Sequence, residues 1–280
     1  MSFKKFDPTT SFSRLLLGLK KVLFVGVYLL SLINLPYSLA APAHQMAEGT
    51  EGILPEEWWI NSLPFSSDPN LNNGNSSAST NDALLLEAIN VQAASALDVA
   101  NQIVDEYAVR VLRKRNFTEF YEEWRPTIID EWTWLPTPQT LHKELHGGID
   151  KSYLETLKVE DIGRILNNSY RYLQMTAVGL EQIVIDKSKE DFLYANFNQS
   201  RFKLRLVLTE IQNALVEHDM YSLSEDNLRM DSIPLDLRSL TTNYTLQITR
   251  DGVIFVSYIN TLEYVIQVSD YLKNQLSQSS

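Results

Sequence analysis

The sequence predicts an all-α protein: an up-up-down-down, long-chain four-helix bundle with two long crossover loops. Three observations predict this. Four segments carry apolar residues at steps of three and four, the period of one helix face. The one stretch that alternates like a strand, NYTLQIT from Asn243 to Thr249, has no partner to form a sheet. The connections are unequal: roughly forty residues from first to second segment, roughly a dozen from second to third, and roughly thirty from third to fourth. A short loop joins antiparallel neighbours, and two long ones let the chain return to the same end of a bundle.

The first helix is expected from Asn81, with Thr80 or Asn81 capping its free N–H groups. Leu86, Ile89, Ala93, Ala96, Ala100, Ile103, Tyr107 and Val111 form its inner stripe, and Ser95, Asp98, Gln102 and Asp105 its outer face. It ends in RVLRKR, where cations suit the negative pole of the helix dipole. Arg110 and Arg113 also spell Arg-x-x-Arg, a processing pattern, although a solvated helix end is the plainer reading.

The second helix spans about Val159 to Asp186, with Ile162, Leu166, Ser169, Leu173, Ala177, Leu180 and Val184 inward. After a break near Ala195–Gln199, Ser200 is a plausible cap for the third. Its inner positions are Leu204, Leu208, Ile211, Leu215 and His218. The fourth starts after Thr249 and turns Phe255, Ile259, Leu262, Ile266, Leu272 and Leu276 inward. At about 1.5 Å rise per residue, each helix is roughly 30–45 Å long.

Ahead of the bundle, Lys4, Lys5, Arg14, Lys20 and Lys21 precede the apolar run Val22–Leu35, and Ser38 and Ala40 are small residues two apart. That is the layout of a secretory signal peptide cleaved after Ala40. Residues 41–80 read as a flexible leader, rich in Ser and Asn. Trp58 and Trp59 are its exception: they either dock on the bundle or form a sticky linear segment. The bundle occupies 81–276, and 277–280 is a tail.

The whole chain has a net charge of −11. Without residues 1–40 it holds 19 Lys/Arg against 34 Asp/Glu, a net of −15. Such a balance argues against nucleic acid or heparin as the main partner. There is no cysteine, so an exported chain has to hold by packing alone. Asn-x-Ser/Thr sequons at Asn75, Asn116, Asn167, Asn198 and Asn243 mark candidate surface glycans.

The stretch DEWTWLPTPQT, Asp130 to Thr140, lies in the first crossover. Its prolines bar a helix, and its tryptophans can pin the strap to the bundle. His142 and His146 in HKELH are four apart, but Lys143 occupies the place where a zincin has its Glu, and two glycines follow. No P-loop, nucleophile elbow or dinucleotide fingerprint is present. The expectation is therefore no enzyme, no cofactor, no metal and no small-molecule substrate.

Two segments carry a resemblance. LKVEDIGRILNNSYRYLQMTAVGLEQI, Leu157 to Ile183, resembles the second helix of cardiotrophin-like cytokines, and RDGVIFVSYINTLEYVIQVSDYL, Arg250 to Leu272, their fourth. Over residues 81–276 the chain looks like a long-chain cytokine of the leukaemia inhibitory factor and ciliary neurotrophic factor class. Within that class it is most similar to invertebrate Unpaired-like ligands. It departs from the vertebrate pattern Phe-x-x-Lys at the fourth helix, where Tyr258 follows Phe255. The resemblance implies a secreted growth-factor-like ligand that binds a cytokine-receptor ectodomain and drives JAK/STAT signalling. The alternative is an extracellular helical carrier or structural protein.

In the resembling class one receptor site joins the end of the first crossover to the fourth helix. Here that implies Trp132 and Trp134, with Tyr264 and Tyr271 on an outer face of the helix. A second site lies on the outer faces of the first and third helices. It implies Asp98, Gln102 and Asp105 on the first, and Arg205, Asn213 and Glu217 on the third.

Overall fold

The structure, a computed structural model, describes residues 57–60, 78–187, 193–220, 228–238 and 243–279. The expected signal segment 1–40 and the Asn75 sequon lie outside these, as does most of the leader.

The described residues are helical, with no strand among them. α1 spans Ala78–Tyr107 and closes in a π turn, Ala108–Leu112. Arg113 then takes a left-handed conformation, φ 58°, and its N–H reaches Ala108 O. α2, Phe117–Glu131, follows. Its cap is Asn116, whose side chain accepts the Glu119 N–H at 2.9 Å. Two single turns, α3 (Pro138–Leu141) and α4 (Lys151–Leu154), lead to α5, Ile162–Asp186. α6 is Tyr194–Glu217, α7 the turn Leu235–Arg238, and α8 runs Tyr244–Ser279.

α1 packs on α6 and α8, and α5 packs on the same two helices. Neighbours run antiparallel. Asn90 near the start of α1 donates to Asp270 near the end of α8 at 2.5 Å, while Tyr107 OH reaches Ile248 O at 3.0 Å. Asp82 Oδ1 lies 3.1 Å from His218 Nε2 of α6, and Ser95 receives Lys203 Nζ at 3.0 Å. Between α5 and α6, Glu181 pairs with Arg201 at 2.8 Å. Between α5 and α8, Asp186 meets Arg250 at 2.7 Å. Arg250 is wholly buried: it also binds Asp251 and donates to Leu237 O at 2.9 Å, so a buried charge network closes this end of the bundle.

The expected inner stripes form one contiguous core, from Leu86 and Ile89 on α1 to Leu272 and Leu276 on α8. Val111, His218 and Ile266, also expected inward, are only half-buried. Several boundaries differ from expectation. α1 begins at Ala78 and α8 continues to Ser279, through most of the expected tail. α6 begins at Tyr194, so Ser200 is a buried residue inside the helix and not a cap. Asn243–Thr249 opens α8: Asn243 Oδ1 accepts the Leu246 N–H at 3.1 Å, and this cap starts a helix where the alternation suggested a strand.

The connection between α1 and α5 contains the fifteen-residue helix α2, which sequence reasoning did not assign. Phe120 and Phe117 hold it to α8, with Phe117 edge-on to Phe255 at 6.2 Å. Phe120 sits where Gly252 has no side chain: a Cβ there would come within 2.6 Å of its ring.

Candidate interaction surfaces

The strap after α2 runs along α8. Trp132 is buried, its ring 6.3 Å from that of half-buried Trp134, and the chain turns through Leu135 N–H to Trp132 O at 3.0 Å. Leu135 to Pro138 are all buried. Ser257 Oγ donates to Pro136 O at 3.1 Å, and Thr137 caps α3 through the Thr140 N–H. Prolines suit this path: Pro136 lies outside any helix, and Pro138 takes the first position of α3, where an N–H would have no helical partner.

Beyond α3 the strap is clasped to α8 by polar groups. Lys143, its side chain buried, donates to Asn260 Oδ1 at 2.5 Å, Glu263 Oε2 at 2.7 Å and Glu144 O at 2.9 Å. Three donors meet three acceptors, so the buried ammonium is fully satisfied. Glu263 also takes the His146 backbone N–H at 2.9 Å and lies 2.7 Å from His146 Nδ1. One turn on, Gln267 bonds both ways, to Ile149 N and Gly147 O. Tyr153 OH meets Tyr264 OH at 3.0 Å.

These contacts set the charges. Burial pulls the Lys143 ammonium down and outweighs the raising effect of Glu263. Burial pushes Glu263 up, but the bonds from His146 and Lys143 together hold its carboxyl below the ordinary range. Glu144 is held low chiefly by Arg125, against burial, and it also accepts from Tyr121 OH.

HKELH therefore serves the clasp. His142 stacks on Tyr153 with centroids 4.0 Å apart, and His146 turns to Glu263. Among the described residues no three His, Cys, Asp or Glu gather in a way that could hold a metal.

The strap corrects the first expected site. Tyr264 is wholly buried between Tyr153 and Tyr172, and every residue of α8 from Arg250 to Leu262 is buried. The outer face expected for Tyr264 does not exist, because the strap covers it. Tyr271 is half-buried, and Trp132 is packed inside. In their place, sequence reasoning missed the clasp residues Lys143, Asn260 and Glu263. A signal was present: three polar residues that fall on or against an otherwise apolar helix.

The second expected site divides in two. Asp98, Gln102, Asp105 and Glu217 are exposed, and Arg205 and Asn213 are half-buried. Because α1 and α6 are antiparallel about the Ser95–Lys203 bond, the α1 trio lies on one side of it and the α6 trio on the other. The α6 side carries exposed apolar residues that periodicity did not single out: Leu84 (59% exposed) and Val91 (55%) on α1, Leu206 (46%) and Val216 (50%) on α6. Exposed apolar residues, where they gather into a patch, are the usual mark of a protein-binding surface.

Of the described sequons, Asn116, Asn167 and Asn243 are exposed and Asn198 is half-buried. At Asn116, Asn198 and Asn243 the side-chain oxygen makes the local bond, to Glu119 N, Arg201 Nη2 and Leu246 N. The amide nitrogen that a glycan would join is left out of these bonds.

Trp58 and Trp59 are docked, each 1% exposed, against α5 and the Leu228 carbonyl. This part of the expected leader belongs to the core.

Fold and surfaces define an all-helical bundle with a strapped last helix and an open flank on α1 and α6. The chain matches no protein-family model, no curated protein and no solved structure.

Proposed function

We propose that the chain is a secreted helical cytokine that binds a receptor ectodomain and activates JAK/STAT-type signalling. The bundle is read as up-up-down-down, with crossover connections over 113–161 and 218–243. The observation that carries this reading is the helix pairing: α1 and α5 each lie antiparallel to both α6 and α8. Long connections between parallel helices are what that arrangement requires. The basic N-terminus, the apolar run and Ser38-x-Ala40 support export, with a mature N-terminus at Ala41.

The α1/α6 flank is the receptor-facing surface in this reading. Exposed apolar side chains on both helices (Leu84, Val91, Leu206 and Val216) and the polar Arg205, Asn213 and Glu217 of α6 support it. The Asp98–Gln102–Asp105 edge is a separate contact. Trp132 and Trp134 are fasteners of the strap.

The test is phosphorylation of a STAT reporter by exported, purified protein on responsive cells, with capture of a receptor ectodomain. Leu84→Asp with Leu206→Asp should abolish capture while the far-UV helical signal is unchanged. Full signalling by that variant removes the flank. No capture of any cytokine-receptor ectodomain, with binding of an apolar ligand instead, favours the carrier.

A further inference from the structure

The four residues Glu57–Ile60 make bonds specific to tryptophan. Trp58 Nε1 donates to Glu181 Oε2 at 2.8 Å, and Trp59 Nε1 donates to Leu228 O at 2.6 Å. The Trp59 carbonyl accepts from Gln174 Nε2 at 2.8 Å, and the Ile60 carbonyl from Tyr170 OH at 3.2 Å. Tyr170, Gln174 and Glu181 lie four and seven apart, on one stripe of α5. Arg201 of α6 binds both oxygens of Glu181 at 2.9 and 2.8 Å, so the acceptor for the first indole is fixed in place. The two rings meet edge-on, 5.8 Å apart at 84°. Each element of the groove thus answers a feature of a two-tryptophan peptide: two indole donors and two backbone carbonyls.

The segment itself is held in a strained turn. Glu57 has φ 54°, a left-handed conformation that a residue with a Cβ adopts at a cost. The Ile60 N–H closes the turn on Glu57 O at 2.9 Å. Such a turn persists where its surroundings impose it, which here means the docked rings. None of these bonds belongs to a helix ladder. Seventeen residues, 61–77, join it to α1.

We propose that this face of α5, with Arg201 and Leu228, is a peptide-binding groove that reads two adjacent tryptophans. Residues 57–60 are its tethered ligand and can be exchanged for a free peptide of the same chemistry. Tethering keeps the segment at a high effective concentration, so the groove is closed to competitors until the segment is removed. The proposal does not depend on the cytokine reading, since no receptor enters its test.

The experiment uses the full chain carrying Trp58→Ala and Trp59→Ala, titrated with a synthetic peptide of residues 54–62. Saturable one-to-one binding is expected, at least tenfold tighter than to the unaltered chain. A peptide with both tryptophans replaced by Phe should bind at least tenfold more weakly, for lack of the two N–H donors. Three results overturn the proposal: no binding to a variant that keeps its helical signal, equal binding to the unaltered chain, or equal binding of the Phe peptide. If the alanine variant loses its helical signal, hydrogen exchange of the two indole N–H groups in the unaltered chain decides. Exchange well ahead of the α8 backbone amides supports a detachable segment. Exchange only at the rate of global unfolding overturns it.

Discussion

At Gly252 a hydrogen stands where any other residue would place a Cβ within 2.6 Å of Phe120. Phe120 is 1% exposed, stacked on Phe117 and Trp124, and has nowhere to turn. Alanine favours a helix over glycine by about 1 kcal/mol. Overpacking a filled core costs typically about 1–3 kcal/mol, and here it wins. Gly252→Ala should lower stability in urea unfolding. Gly163 offers the opposite case. Its Cβ would meet the Met220 side chain at 2.8 Å, but Met220 is 44% exposed and flexible. Gly163→Ala should be neutral or stabilising by up to about 1 kcal/mol in the same assay. The larger apolar residues were easier to place from sequence. Leu173 and Leu262 fall on periodic stripes and have no exposed surface. Replacing either with Ala should cost about 2–5 kcal/mol by chemical denaturation. Equal stability of both variants would contradict this packing.

Among the elements, legibility followed how many sides of each helix are covered. α1 and α5 have a dry side and a wet side, and their stripes were visible in the sequence. α8 is covered by α1, α5 and the strap, so the stripe read on it marks only one of several buried faces, and periodicity could not show that the others are covered too. Tyr264 was assigned to an outside that the strap removes. α2 was hidden for another reason: Pro126 interrupts its pattern, and its anchors Phe117, Phe120, Tyr121 and Ile128 make a short stripe. The clasp between strap and α8 has a pH signature. Glu263 is held below its ordinary value of 4.5 in the folded chain. As pH falls, the unfolded chain takes up this proton first, so folding loses stability below about 4.5 and continues to lose it down to the folded value. The contribution is fully present above that range. Glu263→Gln should flatten this part of the acid-unfolding profile. At neutral pH it should also destabilise, by up to about 3 kcal/mol, because the buried Lys143 ammonium loses its counter-charge. An unchanged acid profile would show that the clasp does not carry the linkage.

Across the whole molecule, the five tryptophans are distributed unevenly: Trp58 and Trp59 in the leader, Trp124 in α2, Trp132 and Trp134 in the strap, and none in the four long helices. Tryptophan fluorescence therefore reports the coverings of the bundle, and far-UV circular dichroism reports chiefly its helices. With Trp58 and Trp59 replaced by Phe, the remaining three report α2 and the strap alone. These coverings contact α8 through Phe120 at Gly252, Pro136 at Ser257, Lys143 at Asn260 and Glu263, and Gly147 at Gln267. Stripping them would leave Asn260 without its lysine and bare an apolar helix along about half its length. Such a helix has no favourable state of its own in water. Strap and bundle should thus unfold as one unit, with coincident fluorescence and circular-dichroism transitions in urea, as two-state behaviour demands. A fluorescence transition that precedes the loss of helix would mean that the bundle stands without its strap. The strap would then be an attached covering, not a structural part of the core.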